Sequence, residues 1–141
     1  MKKNKFLHAA IIMILTEILS SCTKSESNES IKLENTNWKL VGIVNLKTGI
    51  LTELEPKDCE NCYTFAFDTD TTAWGYTVSN EMFIGGLNPI IIGGTKIMEE
   101  GDANICYDAL FSVRSYMANK KELKLFYDNN NKYLLYKLIE H

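Results

Sequence analysis

The chain has 141 residues, with 15 Lys or Arg against 18 Asp or Glu, a net charge of −3 and two histidines. Arg114 is the single arginine and no basic cluster occurs, which disfavours a nucleic-acid partner and a polybasic membrane-surface site. His8 and His141 lie at the two ends, so the body lacks an imidazole for general-base work, zinc ligation or a nucleophile–histidine pair. No catalytic residue, metal or cofactor is expected.

Lys2, Lys3 and Lys5 precede an apolar run, Phe6 to Leu15, that is too short to span a bilayer, which takes about 20 apolar residues. A positive start followed by a short apolar run is the layout of a secretory signal peptide over residues 1–21. Leu19-Ser20-Ser21-Cys22 resembles the lipobox of bacterial lipoproteins. The resemblance implies cleavage before Cys22 and acyl chains such as palmitate on its sulfur and amino group. More than one chain gives stable anchoring. The expected address is the outer membrane, with the periplasmic and surface faces both open. The remaining 120 residues carry a net charge of −5 and suit one domain.

Residues 22–30 comprise the lipidated cysteine and then Thr23–Ser30, a polar tract read as a flexible tether. From residue 31 the pattern is that of a single β-rich domain. Trp38, Leu40 and Gly42 alternate with more polar neighbours as a first strand, and Asn45–Gly49 is a turn. Leu51–Leu54 is a short strand and Glu55–Asp58 a loop. Tyr63, Phe65 and Phe67 show period-two spacing, Asp68–Thr71 turns, and Trp74, Tyr76 and Val78 form one face of the next strand, making a hairpin. Glu81–Ile84 and Leu87–Ile92 read as short strands, separated by Gly85-Gly86 and closed by Gly93-Gly94. A helix is expected near 102–118, with Asp102 as N-cap and Ile105, Ala109, Val113 and Tyr116 on one face. Leu123–Tyr127 and Tyr133–Ile139 form a closing hairpin around Asp128–Asn131, whose residues tolerate positive φ. The expected fold class is α+β, mostly β: an antiparallel sheet or incomplete barrel of short strands with one packed helix.

Several segments resemble META/HslJ-like domains. Thr36-Asn37-Trp38-Lys39-Leu40 is similar to their opening T-x-W-x-L strand, and Thr72–Asn80, through Gly75 and Asn80, to their G-x-Y-x-x-x-N segment. Gly93-Gly94-Thr95-Lys96-Ile97-Met98 and Ala109–Tyr116 with Leu123–Phe126 extend the likeness over about residues 36–138. The resemblance implies a β-rich envelope lipoprotein domain, in some cases tied to stress or drug tolerance, without agreed catalytic residues. Relatives often have Cys before the Asn and after the Met. Here Ser79 and Glu99 stand at those positions, so a disulfide between them is not carried over.

Three cysteines follow Cys22. Cys59-Glu60-Asn61-Cys62 reads either as a redox pair or as a structural disulfide, within the motif or from one of its members to Cys106. A thioredoxin-like site needs a helix after the first Cys, whereas a strand follows here. Asp68-Thr69-Asp70-Thr71 resembles a phosphatase Asp-x-Asp-x-Thr motif, but the surrounding antiparallel pattern makes it a turn capped by Asp side chains. Two carboxylates fall short of the six or more oxygens that Ca²⁺ takes. Trp38, Trp74 and Tyr76 are the candidates for a ligand groove, with core packing as the competing reading. Three functions stand at this stage. The first is a non-enzymatic envelope module binding a protein, peptide or glycan, with membrane contact through its lipid anchor. The second is a lipocalin-like binder of a small apolar ligand. The third is a thiol-redox protein using Cys59 and Cys62.

Overall fold

A computed structural model describes residues 31–140. The signal segment, Cys22 and the tether lie outside the described residues, as does His141. Nine strands and one helix follow in order. They are β1 (Thr36–Asn45), β2 (Leu51–Thr52), β3 (Thr64–Phe67), β4 (Ala73–Tyr76), β5 (Glu81–Leu87), β6 (Ile90–Gly94), α1 (Asp102–Phe111), β7 (Ser115–Ala118), β8 (Glu122–Tyr127) and β9 (Lys132–Leu138).

All pairings are antiparallel, in the order β6-β5-β4-β3-β1-β9-β8-β7, with β2 paired to β1. The sheet is nearly closed, and α1 packs against both β6 and β8. This is the expected mostly-β class with one packed helix. Alternation gives it one filled face: Trp38 and Leu40 on β1, Phe65 and Phe67 on β3, Met82 and Ile84 on β5, Leu123 and Leu125 on β8, Leu134 and Tyr136 on β9 are all buried. Phe65 and Tyr136 meet at 5.6 Å between ring centroids.

β1 is the longest strand and the hub. A register shift between Leu40 and Gly42 lets both Leu40 and Ile43 face inward. Gly42 sits where β2 passes closely, and a side chain there would run into the Thr52 carbonyl. The β8–β9 turn bears out the sequence: Asp128, Asn129 and Asn130 all have positive φ, at 51°, 52° and 62°.

Four local expectations are corrected. The helix ends at Phe111, not near 118, and Ser115–Ala118 is a strand paired to β8. Tertiary pairing outweighs the helical spacing of Val113 and Tyr116. The N-cap is Gly101, which has no side chain to cap with, and Asp102 is the first helical residue, its carboxylate accepting the Glu55 N–H at 2.9 Å. Gly85-Gly86 does not separate two strands. β5 runs through it with a bulge, and the reversal falls at Asn88-Pro89. The strand expected at Leu51–Leu54 is only Leu51–Thr52, and Leu54 is buried as a loop residue.

Candidate functional site

The disulfide alternatives resolve to Cys59–Cys62, which closes the loop between β2 and β3. Lys39 on β1 holds that loop from beneath. Its Nζ donates to the carbonyls of Cys59 at 2.6 Å, Glu60 at 3.2 Å and Cys62. Burial lowers the Lys39 pKa below its usual 10.5, and the nearby Glu60 charge opposes that shift. Cys106 stays a free thiol in the core on α1. Burial pushes its pKa up to about 12, although a hydrogen bond with Tyr136 favours the thiolate. A buried thiol of that kind is a packing group and a poor nucleophile.

The three groove candidates do not come together. Trp38 points into the core at 1% exposure, and its Nε1 donates to Thr36 Oγ1 at 2.8 Å. Trp74 and Tyr76 point outward, 58% and 49% exposed. Period-two spacing finds strands but not which face is inside. On β4 the inward positions are Ala73 and Gly75, and the large aromatics face solvent.

The outward aromatics belong to a row that crosses three strands. Trp74 on β4 stands directly opposite Phe83 on β5, with centroids 5.6 Å apart. Phe83 stands opposite Gly93 on β6, and its ring occupies the space a side chain there would take. Ile91, 52% exposed, continues the face, and the Tyr76 hydroxyl lies 3.5 Å from Glu81 Oε1 at its polar margin. Sequence reasoning took Trp74 and Tyr76 for groove or core residues and passed over Phe83 and Ile91.

A second constellation is polar and buried. Glu99, 8% exposed, accepts from Thr77 Oγ1, from the N–H groups of Ser79 and Asn80, and from Asn80 Nδ2 at 2.9 Å. Burial raises the Glu99 pKa, but these hydrogen bonds outweigh it and leave the group below its usual 4.5. Asn80 in turn donates to the Ile97 carbonyl and accepts from Thr95 and Ile97. No buried side-chain nitrogen or oxygen of the cluster lacks a partner, and the cluster holds the β4–β5 turn to the segment after β6. The aspartates of the 68–71 turn are likewise structural. Asp68 accepts from Thr72 Oγ1 at 2.6 Å, and Asp70 accepts the N–H groups of Leu33 at 2.8 Å and Glu34 at 3.0 Å. Among the described residues no group of three or more His, Cys, Asp or Glu is placed to hold a metal ion.

No known family profile matches the sequence. A crystal structure of a DUF4847 family protein from Bacteroides vulgatus superposes with a TM-score of 0.54, covering 74% of this chain and 93% of that one. At 14% identity this likeness shows a shared fold alone. A protein of Tannerella forsythia that bears the name "Putative lipoprotein" is 40% identical over 141 residues, spanning 97% of both chains. At that identity and coverage, the chain belongs to the same protein family as this Tannerella forsythia protein.

Proposed function

We propose that the chain is a non-enzymatic, lipid-anchored envelope protein that works by binding a protein partner on the outer face of β4–β6. The observation that carries this reading is the exposed row Trp74–Phe83–Ile91, which runs into the open edge of β6. β6 ends the sheet path. The bond from Thr95 N–H to the Glu81 carbonyl makes positions 95 and 81 a hydrogen-bonded pair, so antiparallel alternation turns the backbone groups of Ile92 and Gly94 away from β5. An edge rich in isoleucine and free of charged residues accepts an extended strand, whose alternate side chains would lie on the aromatic face.

The anchor is supported by the Leu-Ser-Ser-Cys22 motif and by the name of the Tannerella forsythia relative. Placement at the outer membrane belongs to the same reading. The non-enzymatic part is supported by a body without imidazole and by polar clusters whose hydrogen bonds are spent on one another. The META/HslJ-like resemblance is retained within this proposal, and with it a role under envelope stress. Its support is that Ser79 and Glu99, the two positions the resemblance pairs, are in hydrogen-bond contact.

The test is photo-crosslinking in intact cells from positions 74, 83 and 91, with position 47 in the β1–β2 turn for comparison. One adduct of common mass from the first three and not from position 47 is expected. No adduct, or the same pattern from all four, overturns the reading.

A further inference from the structure

The edge strand β6 reads Ile90-Ile91-Ile92-Gly93-Gly94, three branched side chains and then two positions with none. A strand of that pattern is complementary to a reversed copy of itself. Run antiparallel about Ile92, it sets Ile90 against Gly94 of the second copy, Ile91 against Gly93 and Ile92 against Ile92. Each glycine then meets an isoleucine. The backbone groups of Ile92 point away from β5, so this axis makes the two Ile92 residues a hydrogen-bonded pair. Moving the axis to Gly93 would set glycine against glycine and Ile90 against Lys96.

On the outer face the match extends to β5. The Phe83 ring fills the space above Gly93 of its own chain. Ile91, 52% exposed, would lie beside that ring in the second copy, since directly opposed residues stand about 4.5–5.5 Å apart. On the inner face Ile90 and Ile92 pack against the core but stay half-buried at the open edge. Charge offers no obstacle at this register. β6 carries none, and Lys96, the first charged residue after it, falls opposite Asn88 of the second copy.

We propose that the partner of the β6 edge is a second copy of this chain, joined by antiparallel β6–β6 pairing centred on Ile92. The inference rests on the partner-binding reading above and names its partner. A two-fold interface uses the same patch on both copies and closes after two. It therefore occupies the edge of both chains and leaves neither β6 free to pair onward. The contact is short, five residues a side. Under the anchor proposed above, two copies held in one membrane have already lost part of the translational freedom that association costs, so a short contact suffices.

The test expresses the full chain in intact cells in two forms with different C-terminal tags, one of them carrying a photo-crosslinker at position 91. The expected adduct contains both tags, and its site on the other form maps to Gly93 or Phe83. Ile92→Pro removes the outward N–H and should lower the adduct yield about tenfold. An adduct of one tagged chain with a different protein overturns the second copy and leaves the partner-binding reading standing. No adduct from position 91 also overturns the second copy, and none from positions 74 and 83 either overturns the partner-binding reading with it. An adduct of two copies mapped elsewhere, such as Ser115–Ala118 of β7 at the other end of the sheet path, overturns the two-fold pairing. An Ile92→Pro chain that resists proteolysis as the native chain does and keeps the full yield overturns pairing through the backbone. The mapping is read with Ile92 in place, so it decides the register even where Ile92→Pro does not fold.

Discussion

The carboxylate of Glu99 grips the Ser79 turn: its Oε2 accepts the Ser79 N–H at 3.1 Å, although 20 residues separate the two. At the positions where the META/HslJ-like resemblance puts two cysteines, this chain has a charge-assisted hydrogen bond. The contact ties the β4–β5 turn to the segment that leads into α1.

Glu99 makes stability depend on pH in one direction. Its folded pKa lies below the ordinary 4.5, so the charged form adds stability at neutral pH. That contribution is lost as pH falls through the folded value. Glu99→Gln should therefore be less stable than the native chain at pH 7, by about 1–3 kcal/mol. The gap should narrow as pH falls below the ordinary 4.5 and through the lower folded value. Urea titrations of both proteins from pH 7 to pH 3 check this, and a gap independent of pH would contradict it.

The two tryptophans should behave as opposites. Trp38→Ala empties the centre of the core and should cost about 3–5 kcal/mol. Trp74→Ala should cost within about 1.5 kcal/mol, the worth of its ring contact with Phe83. Chemical denaturation gives both numbers. Iodide should quench the emission of Trp74 and leave that of Trp38 almost unchanged.

Cys106 should resist alkylation in the native chain and become labelled once denaturant opens the core. Cys59 and Cys62 should add two labels only after reduction. Reducing their bond should cost roughly 2 kcal/mol, because a cross-link spanning three residues in sequence removes little chain entropy from the unfolded state. Lys39→Met should loosen the loop further, which hydrogen exchange at residues 59–62 would register. A native thiol at position 106 that reacts at the rate of a free cysteine would contradict this packing.

Asp70→Ala removes the acceptor for two backbone N–H groups and should cost about 1–2 kcal/mol. Amide exchange at Leu33 and Glu34 should rise while that of β9 is unchanged.

The strand plan was legible because its signals are local. Alternation in Thr36–Leu40 and Tyr63–Phe67 marks strands, and the Asp128–Asn131 run marks a turn that demands positive φ. What sequence alone could not supply was sidedness and closure. Trp74 and Tyr76 alternate as well as Phe65 and Phe67 do, and only pairing with β3 and β5 decides that they face out. Residues 112–118 carry a helical period, yet β8 offers Tyr116 and its neighbours a ladder, and the ladder wins. The Glu99 cluster was flagged only as a departure from the cysteines of a resembling family. Its hydrogen bonds span about 20 residues, which no local window captures.

The Asp70 carboxylate fixes Leu33 and Glu34 just where the described chain begins. Under the anchor proposed above, a pull from the bilayer would enter the fold there. The load passes first to two hydrogen bonds on one carboxylate, then along β1, which is clamped between β3 and β9. Tension along β1 shears many ladder bonds together instead of peeling them one by one. Under a load from that end the paired strands would hold as a unit, and the two bonds to Asp70 would yield before them.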